Sequence, residues 1–157
     1  MPPNSLPAPK IVEVDGLSIP VRKLGERAGE STPAVLVHGF GSDLNTWAAQ
    51  HPELARDRAV YALDLPAHGK ASLQVPPDGL PGYAAFLDRF LAALSLERVH
   101  IVGISMGGAV CLAAALDHPT RITSVSCINS AGLGDWVNHD AGETYFRAAD
   151  RESLRAA

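Results

Sequence analysis

The residue best placed to do chemistry in this chain is Ser105, in the stretch Gly103-Ile104-Ser105-Met106-Gly107. An apolar run, "RVHIVGI", leads into it, and a run of small apolar residues follows from Met106. A strand that turns straight into a helix at a G-x-S-x-G serine has the form of a nucleophile elbow. The tight turn lifts the serine Oγ above the sheet edge, and the glycines remove side chains that would strike neighbouring backbone. The helix N-terminus beneath aims N–H groups and a positive dipole end at any oxyanion formed there. The five-residue pattern alone arises by chance in about one chain in twenty of this length. The strand–serine–helix order is what gives it weight. The plainer alternative is a serine that caps a helix, with glycines for close packing.

A second constellation, His38-Gly39-Phe40-Gly41, follows the apolar run "AVLV". An oxyanion hole needs two converging backbone donors, and the N–H groups of Met106 and Phe40 are the candidates. Gly39 and Gly41 let that loop approach an acyl carbon closely. A nucleophilic serine also needs a base, and the chain has six histidines. His100 and His118 fall at the far ends of their elements, and His51 falls inside a helix. His68 sits in the turn after the fourth strand. His38 is near the serine but is expected to be held by its own loop. Asp135 and His139 keep the order serine, acid, histidine and stand four residues apart, so they can hydrogen-bond on a helix. They are the acid and base candidates.

These residues require elements to carry them. "KIVEVDGLSIPVRKLGE" alternates around Asp15-Gly16 and suggests a β-hairpin. "PAVLVHGF" and "RAVYALDLP" are continuous apolar runs suited to strands buried on both faces. A helix capped by Asp43 or Asn45 is expected through "TWAAQHPELA". In "GYAAFLDRFLAALSL", Phe86, Leu87, Phe90, Leu91 and Leu94 make one apolar helix face, with Asp88 and Arg89 outward. "ITSVSCIN" closes the series as the sixth strand. Strands alternating with helices indicate an α/β fold, a mostly parallel sheet with helices on both faces.

The 157 residues suit one domain, and 46% hydrophobic with 19% charged residues is ordinary globular composition. A net charge of −4 without a basic cluster leaves no footprint for nucleic acid. Cys111 and Cys127 lie in apolar runs without a CxxC or histidine cluster, so neither a metal site nor a cofactor is expected. Residues 1–10, with four prolines, read as a flexible tail or linker. The start lacks the pattern of a signal peptide and no stretch is long enough to span a bilayer. A cytoplasmic protein without membrane partners is expected.

"VLVHGFGSDLNTW", "VYALDLPAHGKAS", "VGISMGGAVCLAAALDHPTRI" and "INSAGLG" resemble successive segments of the α/β-hydrolase superfamily. More narrowly, they are similar to the hydrolase-like domain in the dihydrolipoamide acetyltransferase component of acetoin dehydrogenase complexes. The resemblance covers residues 11–157, with 131–157 similar to the start of the cap region. Ala67 departs from it, since glycine is common before His68-Gly69. The resemblance implies Ser105 as nucleophile and Phe40 and Met106 as oxyanion donors, acting on an ester or thioester of a small molecule by hydrolysis or acyl transfer. It also implies that the acid and histidine follow the seventh and eighth strands, whereas only six strands are read here, as in a fold truncated after the sixth. The alternative is therefore a catalytically incomplete module that retains the fold. An exposed edge at the sixth strand would make such a chain pair with a second copy.

Overall fold

In the computed structural model the described residues are 6–26 and 31–134. Asp135 and His139, the acid and base candidates, lie outside them, as does most of the stretch that resembles the start of a cap region. Among the described residues six strands form one sheet in the order β1-β2-β4-β3-β5-β6. Strands β1 (Lys10–Val14) and β2 (Leu17–Leu24) make the expected hairpin. Its turn residues, Asp15 and Gly16, have φ of 52° and 79°, the left-handed pair a two-residue hairpin turn demands. Strand β2 pairs antiparallel with β4 (Val60–Leu63). Strands β4, β3 (Ala34–Val37), β5 (Val99–Ile104) and β6 (Ile122–Ile128) are parallel to one another.

The continuous apolar runs have a direct structural cause, because the sheet is covered on both faces. Val35 and Val37 of β3 point into a core with Ile101, Leu63 and the helix α2 (Leu80–Ala93). Ala34 and Leu36 alternate to the other face and meet Val60, Ala62, Leu44 and Trp47. On α2, Phe86, Leu87, Phe90 and Leu91 are buried, as the helical spacing requires. Each such side chain stabilises the fold by roughly 1.5–3 kcal/mol through burial. Asp88 is half-buried. Its carboxylate and carbonyl accept from Arg121, at 2.9 and 3.0 Å, which ties α2 to the turn before β6.

One element differs from its sequence reading. In place of a single helix through "TWAAQHPELA", a 3-10 turn at Leu44–Trp47 precedes the one-turn helix α1 (His51–Leu54). Pro52 has no N–H to offer the carbonyl four residues back, so a helix arriving from Trp47 cannot run through it. Asp43, not Asn45, is the cap, its Oδ1 accepting from Asn45 N–H at 2.7 Å. The result is unequal cover, with long helices α2 and α3 (Met106–Asp117) on one face and short turns on the other. Among the described residues no helix is long and apolar enough to cross a membrane.

Candidate functional site

Parallel pairing decides which loops meet. Val37 stands opposite both Leu63 and Gly103, so β4, β3 and β5 end at the same edge of the sheet. The loops beginning at Asp64, His38 and Ser105 therefore leave side by side, where open α/β sheets form their crevices.

Ser105 has φ 52° and ψ −120°, a backbone conformation that costs a non-glycine residue about 1–3 kcal/mol. Its surroundings hold it there. The Ser105 N–H donates to the Ile128 carbonyl at 3.0 Å, and its own carbonyl accepts from Gly108, Ala109 and Ala131. The flanking glycines are required by contact. A Cβ on Gly103 would strike the Gly107 carbonyl, and one on Gly107 would strike the carbonyls of Val37 and His38. Ser105 is exposed, and Met106 opens α3, so its N–H belongs to the first turn, which no helix satisfies internally. Gly39 packs against the serine, since a Cβ there would lie 3.2 Å from Ser105 Cβ and 3.8 Å from Oγ.

His38 is fully buried and both ring nitrogens are engaged. Nε2 accepts from the Leu65 N–H at 3.0 Å, and Nδ1 donates to the Gly39 carbonyl at 2.7 Å. Burial pushes its pKa below the ordinary 6.5. With the Nε2 lone pair already used, His38 leaves the set of candidate bases. His68 is also buried, at 9% exposure, which is deeper than a simple turn residue. Its Nδ1 bonds the Pro66 carbonyl at 2.9 Å. A carbonyl only accepts, so Nδ1 carries a proton, and in the neutral ring the lone pair is on Nε2. The His68 ring stands 5.3 Å from that of His38 and 5.4 Å edge-on from that of Phe40. Tyr83 completes the wall, its hydroxyl donating to Pro66 at 3.1 Å.

The other described histidines lie elsewhere. His100 bonds Ser124 Oγ at 2.8 Å across β5 and β6, and His118 ends α3 beside Asp88. His51 is buried at the start of α1 with Nε2 on the Val60 carbonyl at 2.9 Å. Cys111 is buried and Cys127 half-buried, both as free thiols. Among the described residues no cluster of three or more His, Cys, Asp or Glu is placed to hold a metal ion.

Two residues escaped the sequence reading. Asp64 is 2% exposed, and its carboxylate accepts from Leu44 N–H at 2.7 Å and Lys70 N–H at 2.8 Å. It ties the loop after β3 to the loop after β4. The signal was an acid inside the apolar run "YALDLP", where a buried charge demands partners. Arg22 is likewise buried on β2, bonding the Pro7 carbonyl at 2.9 Å and Asn45 Oδ1 at 3.0 Å.

A mostly parallel sheet with a glycine-flanked, positive-φ serine between strand and helix is the architecture of the α/β hydrolases. The chain belongs to the alpha/beta hydrolase fold family, whose model matches residues 32–153. It is 42% identical, over 95% of its length and 40% of the relative's, to the dihydrolipoyllysine-residue acetyltransferase component of the acetoin cleaving system from Pseudomonas putida. The corresponding Cupriavidus necator protein is 35% identical over 93% of this chain and 38% of that protein. The chain thus spans about two fifths of the length of these relatives. Among solved structures, a bacterial membrane phospholipase A superposes with a TM-score of 0.78 at 31% identity, covering 89% of this chain and 45% of that one.

Proposed function

We propose that the chain carries a serine hydrolase or acyltransferase site that acts on a carboxylic ester or thioester, with Ser105 as its nucleophile. The observation that supports this most is Ser105 itself, exposed and held at φ 52° between β5 and the first turn of α3. Strain of that kind persists only where surrounding structure enforces it, and it gathers at functional sites. In this reading Ser105 Oγ attacks the carbonyl carbon while its proton passes to a histidine base. The negative oxygen of the tetrahedral intermediate is met by the N–H groups of Phe40 and Met106. The bond to the alcohol or thiol then breaks, the leaving group takes the proton, and water or another acceptor receives the acyl group from Ser105.

His139, oriented by Asp135, and His68 are the two candidate bases. His139 keeps the chain order of such sites, and His68 presents an Nε2 lone pair in the loop beside Phe40. The similarity to acetyltransferase components favours a thioester donor among the substrates. The protein is taken to work in the cytoplasm on a small molecule.

A fluorophosphonate probe tests the reading. Labelling of the wild-type chain that disappears in Ser105→Ala is the expected result. Labelling that survives removes Ser105 from the mechanism. A wild type that does not react supports the alternative, a fold-retaining module without chemistry. If p-nitrophenyl esters are turned over, His139→Ala and His68→Ala separate the candidate bases by a loss of several orders of magnitude in kcat. No loss in either variant overturns both assignments.

A further inference from the structure

We infer that His38 is a positioning residue for the oxyanion donor: its ring fixes the plane of the Gly39–Phe40 peptide, so that the Phe40 N–H faces the reacting centre at Ser105. The inference rests on the reading of Ser105 and Phe40 proposed above and adds the group that orients them.

A backbone N–H can only donate, so the 3.0 Å bond from Leu65 to His38 Nε2 makes Nε2 an acceptor. The neutral ring therefore carries its proton on Nδ1, 2.7 Å from the Gly39 carbonyl oxygen. That oxygen also accepts from Ser42 N–H at 3.3 Å, so it is held from two directions. Gly39 C=O and Phe40 N–H share one planar peptide unit, and in a trans peptide they point to opposite sides. Fixing the oxygen on the buried His38 side turns the Phe40 N–H the other way. Gly39 lies against Ser105, so this peptide is the one next to the serine.

The same bonds tie the loop to its neighbours. Leu65, in the loop after β4, sets the tautomer of a ring on the loop after β3, which in turn orients a peptide beside the loop after β5. Asp64 carries a second tie between the first two of these loops. Burial holds His38 neutral at pH 7, and the ionisable groups facing it are His68, Asp64 and Asp43. A rotated peptide would present a carbonyl oxygen in place of an N–H to the developing oxyanion, exchanging attraction for repulsion.

Two substitutions separate positioning from bulk stability. Asn at 38 can place its amide N–H where Nδ1–H stands, while Leu cannot, and both lose the acceptor for Leu65. His38→Leu and His38→Asn should therefore melt at similarly lowered temperatures. The rate of fluorophosphonate labelling at Ser105 should fall roughly ten- to a hundredfold in His38→Leu and stay within about fivefold of wild type in His38→Asn. Equal labelling of the two variants, whether slow or fast, overturns the positioning role. A wild type that is not labelled defeats the proposed function instead, and the Phe40 amide resonance then decides the geometry. That resonance should shift in His38→Leu and return towards its wild-type position in His38→Asn. An unmoved Phe40 amide in His38→Leu overturns the inference without reference to activity.

Discussion

Gly107, in the first turn of α3, lies directly beneath His38 at the end of β3. A methyl group on Gly107 would collide with the backbone carbonyls of both His38 and Val37. The close approach brings the helix start and the His38 loop to one place, and only a residue without a side chain allows it. Neither carbonyl belongs to a flexible side chain, so relief requires the helix or the strand to move. Gly107→Ala should cost about 1–3 kcal/mol of stability and slow the labelling of Ser105. Urea unfolding checks the first part, and a loss under half a kilocalorie would show that the contact is softer than the geometry states.

Asp64 offers a second test. Removing its carboxylate leaves the buried Leu44 N–H, and the Lys70 N–H, without their acceptor. Hydrogen bonds to a carboxylate contribute about 1.5–3 kcal/mol each, so Asp64→Ala, which loses two, should destabilise by roughly 3–6 kcal/mol. Asp64→Asn retains one acceptor oxygen and should lose about half as much. If Asn proves as damaging as Ala, the charge matters rather than the two bonds.

The pH dependence has a definite sign. Burial holds both His38 and His51 below the ordinary 6.5. Below that value the unfolded chain binds protons at these sites while the folded chain resists them. Stability therefore falls as pH falls from 6.5 towards the folded values, and above about pH 7.5 these two groups contribute no slope. Each contributes at most about 1.4 kcal/mol per pH unit. Unfolding measured from pH 7.5 to 5.5 should show the decline before the carboxylates titrate. A flat profile across that window would mean the rings accept protons without leaving their pockets.

The last prediction concerns β6, which forms one end of the described sheet. Ile122, Val125 and Ile128 run along it, and Ile128 is 44% exposed. A strand paired on one side presents a row of donors and acceptors to another chain. The 157-residue chain should therefore associate through this edge at micromolar concentration. Sedimentation velocity gives the answer directly, and a sharply melting monomer would show the edge to be protected.

The local elements were legible because each is specified by neighbours in sequence. Periodicity alone marks the buried face of α2, and Asp15-Gly16 alone marks the hairpin turn. The serine elbow was equally local, since the motif and its flanking strand and helix are contiguous. The break at Pro52 could have been read from the same information, as a missing donor inside an apparent helix. Other features depend on residues far apart in the chain. His38 looked like one histidine among six until Leu65, twenty-seven residues later, was found donating to its ring. Asp64 read as part of a strand until Leu44 and Lys70 converged on it. The sequence determined which elements form and which serine stands at their junction. Tertiary structure decided the tautomer of His38, the burial of His68 and the grouping of three loops around Ser105, because parallel pairing alone sets which strand ends are neighbours.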